Sequence, residues 1–113
     1  MKAIYLTPPH GELIYLGLKK IIVKKKQFKG LINQPLLLVS GNKAYGIIKL
    51  ESPIKINKTL FDKLYPIHLI TEEERKKWGF NFPLYLYPIE ILELFEKPKK
   101  IKVPKGTQTF FNL

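Results

Sequence analysis

The sequence predicts an α+β domain built on a closed or nearly closed β-barrel with two or three short helices. Many short apolar runs are separated by Gly, Pro and Asn turn residues, the mark of a strand-rich chain. Only three segments carry the caps or periodicity of a helix, and each is short. A hydrophobic fraction of 45% and an aromatic fraction of 12% supply a core, so residues 1–113 are expected to form one ordered domain, too small to divide into two.

Taken in order, Ala3 to Leu6 reads as an opening strand that Thr7-Pro8-Pro9 closes. The prolines supply the fixed backbone that opens a helix. Leu13, Ile14, Leu16 and Leu18 give that helix an apolar face, and Gly17 is placed to end it in the left-handed region. From Lys19 to Lys26 the pattern alternates loosely, with Ile21 and Val23 on one side and Lys20, Lys24, Lys26 and Ile22 on the other. That predicts a strand with one buried face and one charged face.

Pro35 introduces Leu36-Leu37-Leu38-Val39, Gly41-Asn42 supplies a turn, and Tyr45 to Leu50 returns, which predicts a hairpin. Leu60, Phe61 and Leu64 fit a short helix that Pro66 interrupts. Thr71-Glu72-Glu73-Glu74 is a capping box, and Arg75-Lys76-Lys77 complements the dipole at the other end of the same helix. Leu84 to Phe95 reads as a long strand with Pro88 at an edge or bulge, and Ile101-Lys102-Val103 as the start of a last strand.

Nineteen lysines and Arg75 oppose nine acids, giving +11 at pH 7. Such an excess favours polyanionic partners. Nine of the lysines but only two of the glutamates fall at or before Glu51, so the excess is steepest in the first half. Hot habitats and AT-rich genomes also load surfaces with lysine, so charge by itself names no function. The absence of cysteine excludes disulfides, thiolate nucleophiles and thiolate metal sites and fits a reducing compartment. The apolar start is too short for a signal peptide or membrane span. A cytoplasmic monomer away from membranes is the expectation. His10 and His68 stand far apart and no acidic cluster has ligand spacing, so no metal or other cofactor is expected.

Three passages together resemble ASCH domains, in particular small phage-like and archaeal members: Pro8 to Ile14 running into Gly17 to Lys24, His68 to Trp78, and Val103 to Phe110. The order and spacing of the three make the match more specific than any one of them, and it spans nearly the whole chain. The resemblance implies a PUA-like β-barrel with a cleft beside the first helix, lined by the Gly-x-Lys segment and used in relatives to approach RNA or a modified nucleobase. Fold analogy alone does not carry function. Some ASCH relatives are amidohydrolases that deacetylate acetylcytidine, and others cut RNA. In the amidohydrolase pattern a threonine nucleophile follows the lysine by three residues, with a later glutamate completing the group. Lys19 matches the lysine, but the threonine position is Ile22, which has no hydroxyl. No catalytic residue is assigned.

Residue by residue, Lys19 directs an ammonium at a phosphate or a base carbonyl, while Lys20, Lys24 and Lys26 extend charge along the adjoining strand as backbone contacts. With one arginine the chain is poorly equipped to read duplex DNA, whereas single-stranded RNA is read by stacking. Trp78 beside Arg75 and Lys77 is either such a platform or a plug in the barrel end. His10 is a ligand donor or an acid–base group. Gln108 contacts a base edge or satisfies barrel backbone. The leading expectation is a nucleic-acid-binding module, RNA over DNA. The alternatives are an enzyme acting on RNA or a modified nucleoside through Lys19 and His10, and a protein-interaction domain.

Overall fold

A computed structural model describes residues 1–107 and 109–113. Its elements run β1 (Lys2–Leu6), α1 (His10–Tyr15), β2 (Ile21–Lys24), a 3-10 turn (Lys29–Leu31), β3 (Leu36–Ser40), β4 (Lys43–Leu50), β5 (Ile54–Ile56), α2 (Lys58–Lys63), α3 (Tyr65–His68), α4 (Glu72–Lys77), β6 (Leu84–Lys100) and β7 (Phe110–Asn112). The strands form one curled sheet in the order β2-β6-β4-β3-β1-β7, with β5 also beside β6. β1 and β3 pair in parallel and the other ladders are antiparallel. Among the described residues no ladder joins β2 to β7, so the sheet is a half-barrel with an open seam between its ends.

The α+β class is as the sequence predicts, with four α-helices in place of two or three. The extra helix arises at Pro66: α2 ends before it, at Lys63 with Leu64 as C-cap, and a new turn begins there. Pro66 sits at the second position of α3, where its missing N–H has no intrahelical partner to lose.

Burial is arranged on both faces of the sheet. Inside the curl, Ile4, Leu6, Ile22, Leu38, Ile48 and Tyr87 form the main core. On the other face of β2 and β6, Ile21, Val23, Leu84 and Leu86 pack against Phe61 and Ile70 from the α2–α4 region. β2 is therefore buried on both sides along its whole length, which corrects the expected charged face: Lys24 points into the curl beside Ile22 and is only 8% exposed.

β6 runs for 17 residues. Pro88 lies where it changes partners, the stretch up to Pro88 pairing with β2 and the stretch from Ile89 onward with β4. The predicted strand at Ile101 to Val103 does not form. The Ile101 amide donates to the Asn42 carbonyl at 2.9 Å, and Ile101, Val103 and Phe95 cover the outer face of β1, β3 and β4 at Ala3, Val39 and Ala44. Their apolar alternation serves as a cover for the sheet, and the last strand is β7, paired to β1.

Candidate functional site

The site is assembled at the ends of two short helices. α1 is closed by a Schellman motif: Gly17 takes φ of 78°, its amide bonds the Ile14 carbonyl at 3.0 Å, and the Leu18 amide bonds Leu13 at 2.9 Å. The Lys19 amide shares that Leu13 carbonyl at 3.2 Å, so the turn fixes where Lys19 leaves the helix. The start of α1 is fixed by close packing, since a Cβ on Gly11 would lie 2.3 Å from Ser40 Cβ. This seats the first turn on β3 and places His10 opposite Lys19.

The Lys19 Nζ meets His10 Nδ1 at 2.9 Å and donates to the His68 carbonyl at 2.6 Å. That carbonyl is free because α3 ends there, with Leu69 in the left-handed region at φ 56°. On its far side His10 Nε2 stands 2.9 Å from Glu74 Oε2. A Lys19 ammonium donating to Nδ1 requires the proton on Nε2, which then donates to Glu74. Glu74 is itself held by the capping box of α4, its Oε1 accepting from the Thr71 amide at 3.0 Å. Trp78 stands edge-on to His10 with ring centroids 5.4 Å apart. It is the C-cap of α4, and Gly79 and Phe80 repeat the Schellman pattern on Lys76 and Arg75.

Burial sets the electrostatics. Lys19 is 2% exposed, and burial pushes its amine down to about 7, with Glu74 opposing and Lys24 reinforcing. Burial likewise lowers Lys24 to about 8, where its Nζ donates to the Tyr5 carbonyl at 3.3 Å across the seam. His10 is lowered by burial and by Lys19, against Glu74. For Glu74 burial acts upward, and the Thr71 amide and His10 outweigh it to hold the carboxyl below its ordinary value. At neutral pH the cluster therefore holds one carboxylate, a Lys19 amine close to half-protonation and a Lys24 that is mostly ammonium.

His10, Lys19 and Lys24 face a cavity of about 790 Å³ at the open seam, within the size range of small-ligand sites, with Glu74 behind His10. Lys19, Lys24, Lys25, Lys26 and Lys105 give it a basic lining, and Phe28, Trp78, Phe80 and Phe110 contribute rings. The Tyr87 hydroxyl holds the loop beneath it, donating to the Lys26 carbonyl at 2.8 Å and accepting from the Phe28 amide at 2.9 Å.

Of the residues singled out in the sequence, the cavity brings together His10, Lys19, Lys24, Lys26 and Trp78. Lys20 and Lys77 are exposed and do not line it. Arg75 is buried and held by Glu72, by the Phe80 carbonyl at 2.7 Å and by the Phe82 ring, so it fixes the turn after α4 and is not available to a ligand. Gln108 lies outside the described residues. Ile22 lines the cavity where the amidohydrolase pattern has threonine. The structure adds Glu74, which the capping box explained without further need, and Phe110, whose ring meets that of Phe28, a weaker stacking candidate in the sequence, at 4.7 Å. Among the described residues no three His, Cys, Asp or Glu side chains converge as a metal site, and no helix is long and apolar enough to cross a membrane.

The curled mixed sheet with short helices at its open side defines a PUA-like α+β fold. More particularly, it is the fold of ASCH domains. A serine-to-alanine variant of the ASCH protein from Zymomonas mobilis superposes with a TM-score of 0.77 at 13% identity, covering 99% of this chain and 87% of that one. The unsubstituted Zymomonas protein gives 0.69 at 13% identity over 99% and 86%. Protein EF3133 from Enterococcus faecalis V583 gives 0.53 at 14% identity over 78% and 72%. Neither a protein-family model nor a curated protein matches the chain.

Proposed function

We propose that the chain is a nucleic-acid-binding module that takes one nucleotide unit of RNA into the seam cavity, with Lys19 and Lys24 on the phosphate or a base carbonyl and Trp78 or Phe28 against the base. One observation carries this reading: two buried amines face a cavity walled by aromatic rings. A buried amine near half-protonation gains its proton fully when an anion arrives, and base–aromatic stacking contributes about 1–3 kcal/mol per base. The scarcity of arginine supports single-stranded RNA over duplex DNA. Anisotropy titrations with short single-stranded and duplex RNA and DNA, at low and near-physiological salt, test it. Micromolar or tighter binding to single-stranded RNA, lost in Lys19→Gln/Lys24→Met, is the expected result. Equal affinity in that variant, shown folded by its melting curve, would overturn the reading.

A second reading rests on the line Lys19, His10, Glu74. A near-neutral amine backed by an imidazole and a carboxylate is a proton-transfer group, and the cavity would then hydrolyse a modified nucleoside or cleave RNA with water as the nucleophile, Ile22 having none to offer. Turnover that disappears in both Lys19→Gln and His10→Ala supports it, and turnover that survives in both excludes it.

A further inference from the structure

We propose that the outer end of the β4–β6 ladder, at Lys43, Lys100 and Lys102, is a second contact for the RNA sugar-phosphate backbone, leading away from the cavity. This rests on the reading that the cavity takes a nucleotide, and extends it from a single unit to a strand.

The ladder is charged in two opposite ways. Near one end Lys49 pairs with Glu90, which lies directly across from it, at 3.4 Å. At the other end Lys43 lies directly across from Lys100, while Lys99 is across from Ala44 on the opposite face, its Nζ 4.5 Å over the Phe95 ring. Like charges opposite one another in a sheet are destabilising, and opposite charges stabilise. Among the described residues none of Lys43, Lys100 and Lys102 joins an ion pair, although Glu93 and Glu96 are carried on the same strand. All three are exposed. A surface selected only for solubility gains nothing from placing two lysines face to face, whereas a polyanion neutralises both and releases its counterions.

The position of this end supplies the connection. Asn42, adjacent to Lys43, accepts the Ile101 amide at 2.9 Å, which ties the hairpin turn to the segment leading to Lys105 on the cavity wall. On the other side of the turn a Cβ on Gly41 would lie 3.5 Å from Pro8 Cγ, two residues before His10. Along the chain, lysines thus run from Lys105 on the cavity wall through Lys102 to Lys100, which faces Lys43 across the ladder. Their compact point charges suit phosphates without reading sequence.

The decisive variant is Lys43→Glu, which replaces the like-charge rung by an opposite-charge rung and so does not threaten folding. Its partners in the experiment are fluorescent single-stranded RNAs of about five and about fifteen nucleotides, with Lys49→Gln as the control on the paired rung. The long probe is expected to bind wild type about tenfold tighter than the short one, and Lys43→Glu to remove that gain with a shallower salt dependence. The short probe's affinity should stay unchanged and the melting temperature equal or higher. Long-probe affinity that is the same in Lys43→Glu and wild type would overturn the proposal, as would preference of this surface for an acidic peptide over RNA. Binding of the short probe without any gain from length overturns this proposal alone. No binding of either probe at low salt overturns the cavity reading with it.

Discussion

Lys19 Nζ lies 2.9 Å from His10 Nδ1 with both side chains buried, and Glu74 stands 2.9 Å behind the imidazole on its other nitrogen. One proton can therefore reside on the amine or on the ring while the carboxylate stabilises either arrangement. The cost of this geometry falls on the buried ammonium, whose desolvation is only partly offset by the His68 carbonyl and by Glu74.

The first consequence concerns stability against pH. The folded values of Lys19 and Lys24, about 7 and about 8, lie below 10.5 for the free side chain. Between those values the unfolded chain binds more protons than the fold, so stability rises with pH through roughly pH 7 to 10. Lys24→Met removes one such site and is expected to raise stability near pH 6 by on the order of 1–3 kcal/mol, the advantage fading by pH 10. Urea unfolding at the two pH values measures it. A wild-type midpoint that falls from pH 7 to 9 would show the amines are solvated.

Glu74→Gln separates the two jobs of that residue. Glutamine still serves a capping box, so helix α4 should persist. The charge that raises both Lys19 and His10 is removed, and the Lys19 titration, followed by NMR of its Cε, is expected to move lower than in wild type. An unchanged titration would mean that the carboxylate does not reach the amine through His10.

Gly11 has no room for a side chain against Ser40. Gly11→Ala should destabilise by about 1–3 kcal/mol, in line with overpacked sites, and shift His10 away from Lys19. Ser40→Gly removes the obstructing Cβ but also the hydroxyl that donates to Leu6, so the double variant should recover part of the loss. Thermal melts of the single and double variants measure the coupling.

Tyr87→Phe deletes a hydroxyl that both accepts from Phe28 and donates to Lys26. Stability should drop by about 1–2 kcal/mol, and amide exchange at Phe28 should quicken while the rest of the sheet stays protected. Uniformly faster exchange would show that the loop and sheet open together.

What could be read from the sequence was local. Gly17, the Thr71–Glu74 box and the Gly41-Asn42 turn each declare themselves within about four residues, because a cap or turn is satisfied by its neighbours. Lys24 could not be read in this way. Alternation assigns a lysine to solvent, and only the packing of β2 between the helices and the curl turns it inward. Glu74 is a subtler case, since one of its oxygens answers a neighbour three residues away and the other a histidine 64 residues away. Arg75 was misleading for the opposite reason: its charge suggested a ligand, while Glu72 at helical spacing already held it. Likewise the alternation of Ile101 and Val103 is common to strands and to a segment laid over a sheet, and periodicity does not distinguish the two.

The open seam has one more consequence. Because the cavity is bridged by side chains such as Lys24 reaching Tyr5, and by Phe28 meeting Phe110, its contents are decoupled from the architecture that surrounds it. A replacement at any of these positions alters shape, polarity or charge in the cavity without removing a rung of the sheet. The chemistry of the cavity can be retuned there while the scaffold keeps its hydrogen bonds, so two chains of this fold can share a backbone and present chemically unlike cavities.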